Sequence, residues 1–221
     1  MWETCRLPEQ TKRAILDYFI LGVPVYRLRF KRLANRKTIE RFLSHVRRVL
    51  ARHEGCRAPF DGAVELDEST FGGRRPGKRG WGARGKIIVL GILQRNGRVK
   101  VFPVPRRRQR TVLPLVSPHT RPGSLYFTDN WSAYASLAIR GDHVVVRKEK
   151  GKPLGRDHLN GIEGFWSDAR HWLHQYRGVH QKFFHLYLGE ISFRFNEREN
   201  DLFPKILKLL RESDADVIRE S

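Results

Sequence analysis

Two apolar, β-branched runs, KIIVLGILQ and RVKVFPV, flank the dipeptide Asn96-Gly97. Asn-Gly in that setting is the strongest short hairpin signal, because both residues tolerate the positive φ that a tight primed turn demands. No other feature constrains the fold as much. It pairs two strands antiparallel, and VELDEST upstream supplies a third, so a three-strand meander is expected. SLYFTD and HVVVRK read as fourth and fifth strands, with RTVLPLVSPH and WSAYASLAI as helices around the fourth and GIEGFWSDARHWLHQY as a later helix. A meander followed by alternating strands and helices predicts an α/β fold with a mixed sheet flanked by helices.

The flanking segments are helical in pattern. Ile15, Tyr18, Phe19 and, after a break at Gly22 to Pro24, Val25, Leu28 and Leu33 follow helical spacing. Thr38 is placed to cap a further helix with Ile39, Phe42, Val46, Val49 and Leu50 inward and Arg41, His45, Arg47 and Arg48 outward. Short helices, a break and a basic final helix fit either a helix-turn-helix module or a plain packing subdomain. Gly and Pro gather over 55–62, which marks a boundary, and residues 182–196 and 202–211 read as two final amphipathic helices.

Lys and Arg exceed Asp and Glu by 20 charges, far beyond what solubility requires, and this points to a polyphosphate partner. A content of 40% hydrophobic residues supports a packed core, against a purely basic structural protein. There is no long apolar span and no signal-peptide pattern, so no membrane partner and a cytoplasmic location are expected. Cys5 and Cys56 lie far apart, which excludes a sequence-local zinc ribbon and a disulfide framework.

Against this charge, three acids stand where strands end or a helix begins: Asp67, Asp129 and Glu163. Glu65 and Asp67 share one face of the first strand, and Glu68 points to the other. If the first and fourth strands are neighbours, Asp67 and Asp129 meet at one edge, and a helix packed over it adds Glu163. Carboxylate oxygens suit hard divalent cations, and a pair of such ions serves phosphodiester displacement. Each acid also has a structural reading. Asn160 and Glu163 have capping-box spacing, and Asp129 with Asn130 can cap a following helix. Asp67, in a mostly apolar strand, is harder to explain that way, since a buried carboxylate without partner or metal costs several kcal/mol.

In order along the chain, ELDESTFGG, GKRGWGARGK, FTDNWSAY, HLNGIEGFWSDARHWLHQYRGV and FRFNER resemble the DDE transposases of bacterial insertion sequences, nearest to the compact ISXO-type class. The resemblance implies a ribonuclease H-like catalytic domain over 60–200; the helical pattern before it makes 1–55 a candidate helix-turn-helix DNA-binding region, and a C-terminal helix and tail follow over 201–221. It further implies two divalent ions, Mg²⁺ or Mn²⁺, held by Asp67, Asp129 and Glu163, which cut double-stranded DNA at terminal inverted repeats and join the 3′-hydroxyl to target DNA. At least a homodimer is implied in the synaptic complex. Relatives with Asn in the third catalytic role make Asn160 a rival to Glu163. Where many relatives carry Lys, this chain has Arg170, two helical turns beyond Glu163 and facing the same way, with a phosphate-gripping charge retained. The amino-terminal Cys-rich zinc element of many relatives is missing, which bears on terminal-repeat recognition more than on catalysis.

The run GGRRPGKRGWGARGK leads directly away from Asp67, with Arg74, Arg75, Lys78, Arg79, Arg84 and Lys86 as phosphate contacts and Trp81 to stack on a base or wedge a step. Arg107 lies in a second basic cluster, and His158 and Asn160 flank the third acid as further DNA contacts. Two alternatives remain: a metal-dependent structure-specific nuclease using the same carboxylates, and a non-catalytic DNA-binding protein, either repressor or decayed transposase, in which the acids are caps.

Overall fold

The computed structural model describes residues 2, 5–72, 86–95, 97–105, 109–146 and 158–219, with side chains described except at 109–110 and 214–219. The chain forms two compact units, one of Met1–Cys56 with Trp172–Ser221 and the other of Arg57–His171.

In the first unit, α1 (Glu9–Ile20) ends at Gly22, whose φ of +73° suits glycine and where a Cβ would strike the Trp172 ring at 2.4 Å. A 3₁₀ turn over Val25–Phe30 leads to α2 (Arg36–Gly55). The cap of α2 is Asn35, not Thr38: Asn35 has extended backbone and its side chain accepts from Lys37 N–H at 2.9 Å. Ile39, Phe42, Leu43, Val46, Val49 and Leu50 form the buried stripe of α2 at the expected spacing.

In the second unit, β1 (Ala63–Phe71), β2 (Ile87–Gln94) and β3 (Val99–Val104) form the expected antiparallel meander. The β2–β3 hairpin closes with Gln94 N–H donating to Arg98 O; Asn96 lies outside the described residues. Helix α3 (Gln109–Val116) carries the chain back to β4 (Leu125–Thr128), which pairs parallel with β1, and β5 (His143–Val145) pairs parallel with β4. The order β3-β2-β1-β4-β5, with antiparallel and parallel pairings, is the expected mixed sheet. WSAYASLAI forms a 3₁₀ helix over Ser132–Ile139 in place of an α-helix; three residues per turn stack Tyr134 and Leu137 on one side, and both are fully buried. One face of the sheet presents Val64, Leu66, Ile88, Leu90 and Ile92 to Val112, Val116, Tyr134 and Leu137. The other is covered by α4 (Asn160–His174).

The first unit closes with α5 (Phe184–Asn196) and α6 (Leu202–Arg219). Helices α2 and α5 cross at Gly189, where a Cβ would lie 2.5 Å from the Ala51 Cβ. One residue on, Glu190 accepts from Arg47 Nε at 2.6 Å and from Arg194 Nε at 3.0 Å, all three side chains being largely buried. Arg47 is therefore not on the outward face of α2 where amphipathic spacing puts it: the close approach at Gly189 sets a carboxylate beside it. No helix among the described residues is long and apolar enough to cross a membrane.

Glu190→Ala leaves two buried guanidiniums without their carboxylate. A loss of about 3–5 kcal/mol is expected in urea unfolding, and an unchanged midpoint would show the network to be dispensable.

Candidate active site

The parallel pairing of β1 with β4 sets Leu66 opposite Thr128, so Asp67 and Asp129, each the next residue, stand side by side. Strand alternation turns Glu65, Asp67 and Ser69 toward α4. The helix reads them in step. Ile162 N–H donates to Glu65 Oε2 at 2.9 Å, Trp166 Nε1 donates to Asp67 Oδ2 at 3.1 Å, and Arg170 Nη2 donates to Ser69 Oγ. Two strand residues rise about 6.6 Å and four helical residues about 6 Å, so the registers match over three contacts. Glu163, in the first turn of α4, is thereby brought within the field of Asp67.

Asp67 senses both other acids. Burial pushes its pKa up to about 6; the Glu68 N–H and the Trp166 indole oppose this, and the nearby Asp129 and Glu163 carboxylates add to it. Asp129 Oδ1 accepts from Trp131 N–H at 3.0 Å, so it also shapes the turn into the 3₁₀ segment. The donor set fits a hard divalent cation, since it is all carboxylate oxygen and its mutual repulsion is of the kind a cation relieves. Among the described residues no three His, Cys, Asp or Glu side chains already stand as a closed coordination group. Asp67 and Asp129 each have an oxygen engaged by an N–H donor.

The acid two residues before Asp67 has the opposite fate. Glu65 is 1% exposed and accepts from Arg95 Nε at 3.1 Å as well as from Ile162. Arg95 also donates to His158 O at 2.7 Å and lies 3.5 Å over the Phe127 ring. Glu65 thus satisfies the start of α4 from across the sheet, as an N-terminal anion does. Sequence reading missed this role; its one signal was the shared face of Glu65 and Asp67. Gly91, which pairs with Asp67, admits α4 at this point: a Cβ there would lie 2.6 Å from the Trp166 ring and 2.7 Å from Ile162.

Of the remaining candidates, Arg170 is exposed, anchored at Ser69 and 5.9 Å over the Phe71 ring. His158 is half-buried, its Nδ1 3.6 Å from Glu65 Oε1 and accepting from Asn160 N–H at 3.4 Å. That bond takes the N–H a capping box would give to Glu163. Asn160 is exposed on the first residue of α4, and Lys86 is half-buried just before β2. Arg74, Arg75, Lys78, Arg79, Trp81, Arg84 and Arg107 lie outside the described residues.

Over residues 59–196 the chain matches the family described as ISXO2-like transposase domain. It is 30% identical over 114 residues to an uncharacterized transposase-like protein of Haemophilus influenzae, an overlap of 51% of this chain and 93% of that protein. A solved structure, the Mos1 strand transfer complex, aligns at 12% identity with a TM-score of 0.29, over 70% of this chain and 58% of that one; a likeness this distant carries no argument.

Two outcomes follow from this geometry. Gly91→Ala drives the Trp166 ring off Asp67 and is expected to cost about 1–3 kcal/mol by overpacking, read by denaturant unfolding, with a changed tryptophan emission. Asp67→Asn is expected to stabilise the metal-free protein at pH 8. A carboxylate whose folded pKa is raised favours folding at low pH and loses that contribution as pH climbs through about 6. The gain has a ceiling of roughly 3 kcal/mol and should vanish below pH 4; thermal unfolding across pH checks it, and a gain constant with pH would remove the strain assigned to Asp67.

Proposed function

The chain belongs to the ISXO2-like transposase domain family, and on that premise we propose that it cuts DNA at insertion-sequence ends and transfers the freed 3′-hydroxyl to target DNA. The observation that supports this reading best is the convergence of three acids: Asp67 and Asp129 stand side by side through the β1–β4 pairing, and Glu163 lies on the helix packed over them. Three acids held within one another's field are costly in a fold, and a polyanion-cutting site is a reason to keep them. Asp67, Asp129 and Glu163 would hold two divalent ions, Mg²⁺ or Mn²⁺, which when bound activate the attacking water or 3′-hydroxyl and stabilise the leaving oxygen.

The chain's own groups prepare that chemistry. Asp67 ligates only when ionised, so activity rises with pH through its titration. Trp166 fixes one carboxylate oxygen of Asp67, and Glu65 with Arg95 holds the start of α4 so that Glu163 stays in register. Arg170, tethered to Ser69, presents its remaining guanidinium donors to phosphate oxygens. The basic segment after β1 supplies further phosphate contacts. Bringing two DNA ends together calls for at least two copies of the chain.

Incubating a labelled element-end duplex with Mg²⁺ or Mn²⁺ tests the proposal. Asp67→Asn and Glu163→Gln should each reduce cleavage by more than about a hundredfold, the upper end of the loss for a group that merely supports a ligand. Asp67→Asn should remain folded throughout. Cleavage that survives both substitutions would sink the mechanism. Nicking without joined products would reduce it to a nuclease.

A further inference from the structure

Behind β1, on the face opposite Asp67, the apolar layer holds a polar pair. Strand alternation turns Glu68 the same way as Val64 and Leu66, toward the 3₁₀ segment Ser132–Ile139, and its side chain is buried. Tyr134, from that segment, is fully buried in the same layer. Its hydroxyl has no hydrogen bond of regular geometry, and the Glu68 carboxylate is the polar group that acts on it most strongly. Asp67 and Asp129 act on it more weakly, in that order. Phenylalanine would fill the space without an imperfectly bonded buried hydroxyl, whose desolvation costs about 1–3 kcal/mol. Packing alone does not explain that hydroxyl.

Both ends of the contact lead to the candidate ligands. The Glu68 N–H donates to the Asp67 carboxylate. On the other side, Trp131 N–H donates to Asp129 Oδ1 at 3.0 Å. Tyr134 N–H donates to Trp131 O at 3.0 Å, and the two rings meet edge to face with centroids 5.3 Å apart. The β1–β4 ladder ends at Leu66 and Thr128, one residue short of each acid. Beyond it, the contact of Tyr134 with Glu68 spans from the segment after Asp129 back to β1.

We propose that Tyr134 is a positioning residue for the carboxylate site: its hydroxyl, set against Glu68 behind the sheet, ties the segment carrying Asp129 to the strand carrying Asp67 and fixes the spacing of the two acids. This role rests on the reading of Asp67 and Asp129 as divalent-cation ligands. Tyr134 acts through those acids, not on the cation or on DNA. A small hard cation tolerates little error in the separation of its oxygen donors, so affinity falls when one ligand segment shifts against the other. Groups that orient metal ligands from outside the coordination sphere carry about ten- to a hundredfold in affinity. The ring packs the core and would do so in phenylalanine; the hydroxyl alone carries the tie.

Mn²⁺ binding to the full chain, followed by the electron paramagnetic resonance of the free ion, tests this without DNA or turnover. Tyr134→Phe keeps the ring and removes the hydroxyl, and it should weaken Mn²⁺ binding by about tenfold or more. Tyr126→Phe is the control: it removes another fully buried hydroxyl, bonded to Thr120 at 2.8 Å, from the strand that leads to Asp129. It should keep the affinity of the native chain. Glu68→Leu should also weaken binding, and combined with Tyr134→Phe it should cost less than the product of the two separate losses, because both remove one link. Unchanged affinity in Tyr134→Phe, or an equal loss in Tyr126→Phe, would overturn the positioning role while the carboxylate reading stands. Loss of the fold in Tyr134→Phe, read by circular dichroism, would overturn it too, since the hydroxyl would then be structural. Mn²⁺ binding indifferent to Asp67→Asn would remove the carboxylate site, and the role of Tyr134 with it.

Discussion

Helix α4 lies on β1 in step, and the candidate site exists because of that register. Every fourth residue of the helix meets every second residue of the strand, at Glu65, Asp67 and Ser69 in turn. Slipping the strand by one residue would turn all three to the opposite face and bring Glu68 round in their place. The register is held by polar bonds at three levels and by Gly91, which leaves the space that Trp166 occupies. Glu163 follows Ile162 on the helix, so the clamp carries it to its position.

Two carboxylates on one strand face show how surroundings decide what an acid does. Glu65 is the more deeply buried, yet a guanidinium and a helix N–H compensate its charge, and it serves the architecture. Burial raises the proton affinity of Asp67 and the repulsion of Asp129 and Glu163 adds to it, against the Glu68 and Trp166 N–H donors. The first arrangement stabilises the fold. The second stores electrostatic strain beside the end of β4, in the middle of the sheet, where a hard cation can relieve it. A raised carboxylate pKa beside two further acids is the pattern that separates a candidate catalytic group from a structural one.

The helical unit repeats the theme with the opposite sign. Its buried Glu190 is outnumbered by Arg47 and Arg194. Both units therefore concentrate one sign of charge where burial strengthens it.

The strands, the hairpin and the long helices were legible in the residues, since alternation, helical spacing and turn chemistry are local properties. Asp67, Asp129 and Glu163 were legible as candidates through the ordered motifs that carry them, but the expectation that each stands at an element end fails for Asp67, which lies in the middle of β1 because the strand runs on to Phe71 in its pairing with β2. Glu65, Gly91 and Arg47 were not. What each does depends on groups distant in the chain: Ile162 and Arg95 for Glu65, Trp166 for Gly91, and Glu190 for Arg47. Residue type and local period thus determined which elements form and which side chains could bear charge chemistry. Only the tertiary structure decided which acid is satisfied and which is strained, because that depends on what packs against it, and packing between distant segments leaves no period in the sequence.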